Sequence, residues 1–446
     1  MKKLVSGFSK LSKSDKIRWI AENFASEPVE AERVLTSFWH SDADLQRVID
    51  GFSENTISNF PFPYGIAPNF IINEKHYAVP MVIEESSVVA AASSAAKYWM
   101  SRGGFHAEVI STVKLGQVHF LWKGDFQKLQ SVFEDLKQHL IEDSADITCN
   151  MEKRGGGVLS IELLNFTNIE RNYYQLRVSF ETCDSMGANF INSVLEQFAG
   201  TLAVFVATHP IFDETERELD IIMSILSNYT PDCLVRAWVE CPIENLSDEA
   251  DAAYFAEKFR KAVRIAQIDP YRATTHNKGI LNGIDSVVLA TGNDFRAVEA
   301  CAHTYASRDG QYRSLSNCTI ENGIFKFWLD IPLALGTVGG LTKLHPLAKL
   351  SLEILDNPNA AELMQIVAVT GLAQNFAALR SLVTTGIQKG HMKMHLTNVL
   401  NHLGANALET QDAAYFFSDK AVSFTAVREF LEISRVKVEV LNGKVK

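Results

Sequence analysis

Arg272, His276, Lys278, Asn282, Asp285 and Asp294 fall within the run 269–294, DPYRATTHNKGILNGIDSVVLATGND, among glycines and aliphatic residues. A lysine held beside an aspartate in a water-poor cleft stabilises negative charge growing on a carbonyl oxygen, because a fixed ammonium acts more strongly there than in water. Lys278 and Asp294 are the residues suited to that role. Arg272 offers a planar fork for a second anion such as a carboxylate. The plain alternative is a set of solvated loop charges, since ion pairs also occur as structure alone. Asn277 and Gly279 flank Lys278, and the apolar stretch 286–290 ends in TGND, so the run reads as loop, buried segment, loop.

Three other places carry chemistry-bearing residues. Glu84 and Glu85 precede a small-residue helix, SSVVAAASSAAKYW, whose dipole favours a carboxylate at its start; simple charge compensation is the alternative. DSMGAN puts Asp184, Gly187 and Asn189 at the opening of an apolar helix, where unpaired amides attract phosphate. Asp184 as an ordinary N-cap is the competing explanation, and no GxGxxG follows a strand. His391 and His395 stand one helical turn apart, but the glutamate of HExxH is missing and no third ligand is apparent, so no metal site is expected.

These side chains need a scaffold. Residues 11–50 have helical spacing, with Ser14 and Asp15 as cap candidates, and 54–70 is an irregular segment rich in proline and aromatics. A strand-turn-strand over 71–85 leads into the small-residue helix. Between 105 and 209 the pattern becomes two strands (HAEVISTV and QVHFLW), a helix over 125–141, two strands (VLSIELL and YQLRVSFE) and the DSMGAN helix, which suggests an inserted ferredoxin-like α/β module. Residues 213–226 read as helix, VRAWVEC as strand, and 247–268 and 295–307 as helices. FKFWLDIPLALGTVGG is a strand ending in glycines that either permit close approach or punctuate a turn. The tail 416–446 is expected to form a small helix and strands.

With 446 residues, 47% hydrophobic and 21% charged, the chain has mass for two or three domains. A net charge of −11 and a pI near 5.6 argue against broad nucleic-acid binding, which needs a basic footprint. The start has no apolar signal core, and no window reaches the roughly 18 uninterrupted apolar residues of a membrane span. The six cysteines form no CxxC pair, which fits reduced thiols in the cytoplasm.

The run 269–294, together with VPMVIEESSVVAAASSAAK, DSMGAN, GTVGG and GIQKGHMKMH, resembles the soluble, bacterial-type (class II) hydroxymethylglutaryl-CoA reductases. The similarity extends from ENTISNF, near Glu54, to the helix with His391. It implies an α+β fold: a large, mostly helical substrate and CoA-binding domain (1–108 and 221–375), an inserted ferredoxin-like dinucleotide-binding domain (109–220) and a mobile C-terminal flap (376–446). It implies Glu85, Lys278, Asp294 and His391 as catalytic residues, with Glu85 protonating the aldehyde oxygen and His391 the departing thiolate. Ser87, Arg272 and Asn282 match substrate-contacting positions, and Asp184, Met186, Gly187 and Asn189 match the dinucleotide site. The cofactor is NADH or NADPH, with the preference open, and CoA enters as part of the substrate. The resemblance further implies a homodimer or a higher oligomer with shared active sites. One departure is visible: relatives usually read Glu-Pro-Ser where this chain has Glu85-Ser86-Ser87, and the serine is expected to preserve the geometry. Two other readings remain, a catalytically silent acyl-CoA or dinucleotide-binding protein and another nicotinamide-dependent hydroxy-acid dehydrogenase.

Overall fold

The computed structural model describes residues 4–246, 251–384, 396–397, 399–417, 420 and 422–441. Helices α1 (Lys13–Phe24), α2 (Pro28–Ser37) and α3 (Ala43–Asp50) form the N-terminal scaffold. The cap of α1 is Ser12, which accepts from Asp15 N, so Ser14 and Asp15 lie inside the helix. The hairpin β1 (Tyr64–Ile72) and β2 (Lys75–Val82) turns at Asn73 and Glu74, both with positive φ, as a two-residue turn between twisted strands requires. Next comes α4 (Val88–Met100), whose buried Ala92, Ala95 and Ala96 let it lie close against β1. Strand β3 (His106–Val109) follows.

The next stretch runs β4 (Lys114–Trp122), α5 (Phe126–Ser131), α6 (Phe133–Asp143), α7 (Ala145–Glu152), β5 (Gly157–Asn165), β6 (Tyr173–Glu181), α8 (Ala188–Thr208) and β7 (Leu219–Leu226). Its four strands make one antiparallel sheet in the order β5-β6-β4-β7. Every second residue of β4 faces a core that includes Phe120, Trp122, Phe180 and Phe198. Two expectations are corrected here. Residues 219–226 are a strand rather than part of a helix, because the β-branched run pairs along the free edge of β4 and that pairing outweighs local periodicity. HAEVISTV also divides: β3 pairs with a strand of the other sheet, so it is no partner of β4.

The chain continues as β8 (Leu234–Pro242), α9 (Ala252–Ile268), α10 (Pro270–Ala290), α11 (Phe295–Ala306), β9 (Ser316–Glu321), β10 (Ile324–Pro332), α12 (Leu341–Leu344), α13 (Pro346–Ile354) and α14 (Ala360–Val383). Strands β3-β8-β10-β9 form a second antiparallel sheet. Helix α14 packs against α4, α10 and β8 at the centre of the largest core. Helices α8 and α14 are long and apolar enough to cross a bilayer by composition, but 72% of the most apolar window of α14 is buried within the protein, which accounts for its character.

The loop, buried segment, loop expected for 269–294 is instead one continuous helix, α10. Asp269 caps it by accepting from Tyr271 N, and Pro270 begins it. Interior glycines cost a helix about 1 kcal/mol each, and here one of them is used for contact. A Cβ on Gly283 would lie 2.7 Å from Thr370 O of α14, and one on Gly371 of α14 would lie 2.7 Å from Ile284 Cγ1. The two backbones therefore meet through reciprocal glycines. The C-terminal part holds helices Ala407–Phe416 and Phe424–Leu441 around Leu400, Val427 and Leu431, and no strand occurs there among the described residues. The described part of the tail is thus helical. The expected flap boundary at 376 falls inside α14.

Candidate active site

Lys278, Asn282 and Asp285 stand at i, i+4 and i+7 on α10 and so share one face. Opposite them runs the segment between β2 and α4, where Ser87 adopts a left-handed φ of 76° before the helix begins at Val88. Ser86 and Ser87 therefore lie outside the first turn of α4, and the Ser87 hydroxyl caps nothing. Glu85 faces α10 from this segment: its Oε2 accepts from Lys278 Nζ at 2.5 Å and from Asn282 Nδ2 at 3.4 Å. The Lys278 and Glu85 side chains are 60% and 41% exposed, so the pair is open to solvent within one chain and the expected dry cleft is absent there.

Asp294 does not pair with Lys278, which corrects the ion pair expected from sequence. It is the N-cap of α11, accepting from the amides of Arg296 and Ala297, and it pairs with the Arg296 guanidinium at 3.0 Å. Burial would raise its carboxyl, but Arg296 and the helix amides outweigh burial and hold it below the usual range. The two residues were joined because they are close in sequence, whereas a helix sends each to its own neighbours.

Arg272 is half-buried, has no acid within ion-pair distance among the described residues, and has its pKa lowered by burial. Beneath it lies His276, 1% exposed, whose Nε2 is 2.6 Å from Ser316 Oγ. Ser316 Oγ donates to Asn375 Oδ1, so it accepts from His276, which fixes the proton on Nε2 and leaves buried Nδ1 without a partner. Burial, aided by the Arg272 charge, pushes His276 down to about 3 and keeps it neutral. The free positive charge thus stays on Arg272. Asp285 is pushed up to about 8 by burial and by Glu299 of α11, so it holds its proton at neutral pH.

Three separate motifs meet at one junction. Gly336, in GTVGG, donates its amide to Asn293 Oδ1 of TGND at 2.9 Å, and Thr337 N donates to Asp184 O of DSMGAN at 2.9 Å. A Cβ on Gly336 would lie 2.5 Å from Met186 N. Gly187, at φ 87°, is the N-cap of α8, and a Cβ there would strike Thr182. The first amides of α8 have no side-chain cap, because Asp184 accepts instead from Ala360 N at the start of α14. A glycine-lined turn with uncapped helix amides fits a dinucleotide phosphate. Asn189 is exposed in that first turn.

Residues 14–396 match the family model for hydroxymethylglutaryl-coenzyme A reductase. The chain belongs to this family. The reductase of Archaeoglobus fulgidus is 36% identical over 412 residues, covering 92% of this chain and 89% of that one. A probable reductase from Borreliella burgdorferi is 32% identical over 400 residues, covering 90% and 89%. Among solved structures, the class II reductase of Streptococcus pneumoniae bound to NADPH in open conformations aligns with a TM-score of 0.70 at 37% identity, covering 85% of this chain and all of that one. The reaction of this reductase is therefore the NAD(P)H-dependent reduction of hydroxymethylglutaryl-CoA to mevalonate.

Of the residues singled out from sequence, the fold brings together Glu85, Lys278 and Asn282, and it joins the Asp184–Gly187 turn to the segment holding Asp294. His391 and His395 lie outside the described residues. No cluster of metal-ligating side chains occurs among the described residues. Asn293, which tethers GTVGG beside Asp294, was not singled out from sequence. Its position between Gly292 and Asp294 was the available signal.

Proposed function

We propose that Lys278 is the electrophile of this reductase, and the contact that carries the reading is its 2.5 Å bond to Glu85 with Asn282 alongside. The ammonium meets the oxygen of the thioester and then of the aldehyde as each becomes negative. Arg272 grips the free carboxylate of the substrate, which supplies the acid its half-buried guanidinium lacks. Ser87 and Asn282 orient the substrate. Glu85 gives a proton to the aldehyde oxygen in the second reduction. His391 protonates the departing CoA thiolate and so prevents its return.

The bound nicotinamide supplies the hydrides. Asp184, Met186, Gly187 and Asn189 would hold the dinucleotide, on a module whose strand order is that of a ferredoxin-like domain and whose fourth strand carries it past the expected end at 220 to Leu226. The elements before β4 and those from β8 through α14 form the substrate domain, and the chain beyond α14 a closing flap. The exposed Lys278–Glu85 pair needs covering, which supports a homodimer or larger oligomer with shared sites, and the free cysteines agree with a cytoplasmic setting. The test is stoichiometry with NADH and NADPH in parallel. Two cofactor molecules oxidised per mevalonate are expected, and one per product would indicate a simpler hydroxy-acid dehydrogenase.

A further inference from the structure

Lys114 opens β4 on the face that carries Val118, Phe120 and Trp122, and it is only 3% exposed. Lysine is rarely buried so deeply unless an acid pairs with it. Among the described residues its ammonium meets a single group, Thr182 Oγ1 at 2.8 Å, a neutral hydroxyl that itself donates to Ser185 O. The carboxylate of Glu181, beside Thr182 in the chain, is taken by the Thr112 hydroxyl and the Cys183 amide.

The place of this ammonium matters. Thr182 is the residue that a Cβ on Gly187 would strike, so the charge lies beneath the turn that starts α8. Lys114 also lines, with Met186, Ala188, Asn228 and Cys301, a cavity of about 20 Å³ between the inserted module and α11. That space holds little more than a water, so a phosphate would rest on the turn and the lysine would reach it by swinging away from Thr182. The N-terminus of α8 is electropositive and uncapped. Glu181 offsets part of this charge from a distance, but among the described residues no acid forms an ion pair with Lys114, and an anion at the turn would meet both the ammonium and the positive helix end.

We propose that Lys114 is a phosphate-binding residue of this reductase, adding its ammonium to the phosphate oxygens of the dinucleotide at the α8 turn. The inference rests on the reading of 184–189 as the dinucleotide site. Lys114→Met keeps the apolar stem and removes the charge, and Lys114→Gln serves if the first variant fails to fold. Loss of one charge-assisted bond should raise KM for the dinucleotide about 10–100-fold, while kcat and KM for hydroxymethylglutaryl-CoA hold within about two-fold. An equal rise for NADH and NADPH assigns the lysine to the pyrophosphate, and a rise for NADPH alone assigns it to the 2′-phosphate. Unchanged KM for both, or a fall in kcat without a KM effect, makes Lys114 purely structural and overturns the proposal. Gly187→Ala separates the underlying reading: dinucleotide binding that survives that change refutes the 184–189 site itself.

Discussion

Replacing Lys278 with alanine separates catalytic worth from structural worth, because the geometry assigns very different sizes to the two. The Lys278–Glu85 pair is short at 2.5 Å but 60% and 41% exposed, and ion pairs of that exposure stabilise a fold by about 0–1 kcal/mol. The melting temperature of Lys278→Ala should therefore stay within a few degrees of wild type. In the proposed role the same ammonium faces the negative charge that develops on the substrate. Removing one such donor costs about 3–4 kcal/mol, or roughly 10²–10³ in kcat, and a full charge sets that as the lower bound. Lys278→Arg keeps the charge but misplaces it and should rescue little. Loss of reduced-nicotinamide absorbance under saturating substrate measures turnover, and thermal unfolding measures stability on the same samples. Turnover within ten-fold of wild type, or collapse of the fold, would refute the reasoning.

Other perturbations follow from the same geometry. Asp285 titrates at about 8 in the fold and near 3.8 when free, so the folded chain binds its proton more tightly, and the stability this gives is present below pH 4 and lost as pH rises toward 8. Asp285→Asn should flatten that limb and stabilise the protein at pH 8 by on the order of 1–3 kcal/mol, as read by urea unfolding at pH 5 and pH 8. His276 has the opposite sign: its pKa falls from 6.5 to about 3, so stability is full above 6.5 and declines as pH falls toward 3. His276→Gln should shift the acid unfolding midpoint downward, and an unmoved midpoint would contradict the buried neutral imidazole. Gly336→Ala places a carbon 2.5 Å from Met186 N, so it should weaken NADPH binding with little effect on substrate KM, measurable by fluorescence titration.

The parts legible in sequence were those whose meaning is local. The residue types of DSMGAN and of the Lys278, Asn282 and Asp285 series carry chemistry wherever they fall, and their order supplied the family. Alternation along β4, β6 and β8 was plain because each strand presents one face to a core. What was misread depended on distant partners. Asn277, Gly279, Asn282 and Gly283 look like punctuation to a local reader, but all four lie inside α10, where Gly283 lets Thr370 of α14 approach closely. The run that becomes β7 needed the open edge of β4 to declare itself. Asp294 and Lys278 are apart because Asp294 caps the start of α11 and pairs there with Arg296. Asn293 is meaningful only once Gly336 is seen to lean on it.

The 24 residues of helix α14 span about 36 Å. At one end Asp184, from the turn before α8, accepts from the amide of Ala360; at the other, Lys258 of α9 donates to the carbonyl of Val383. Between Leu363 and Phe376 nearly every side chain of this helix is buried, whereas Arg380 and Leu382 near its end are exposed. The same helix thus ties the turn before α8 at one end and α9 at the other to the core that carries α10, so the Lys278 face and the Asp184 turn share one support.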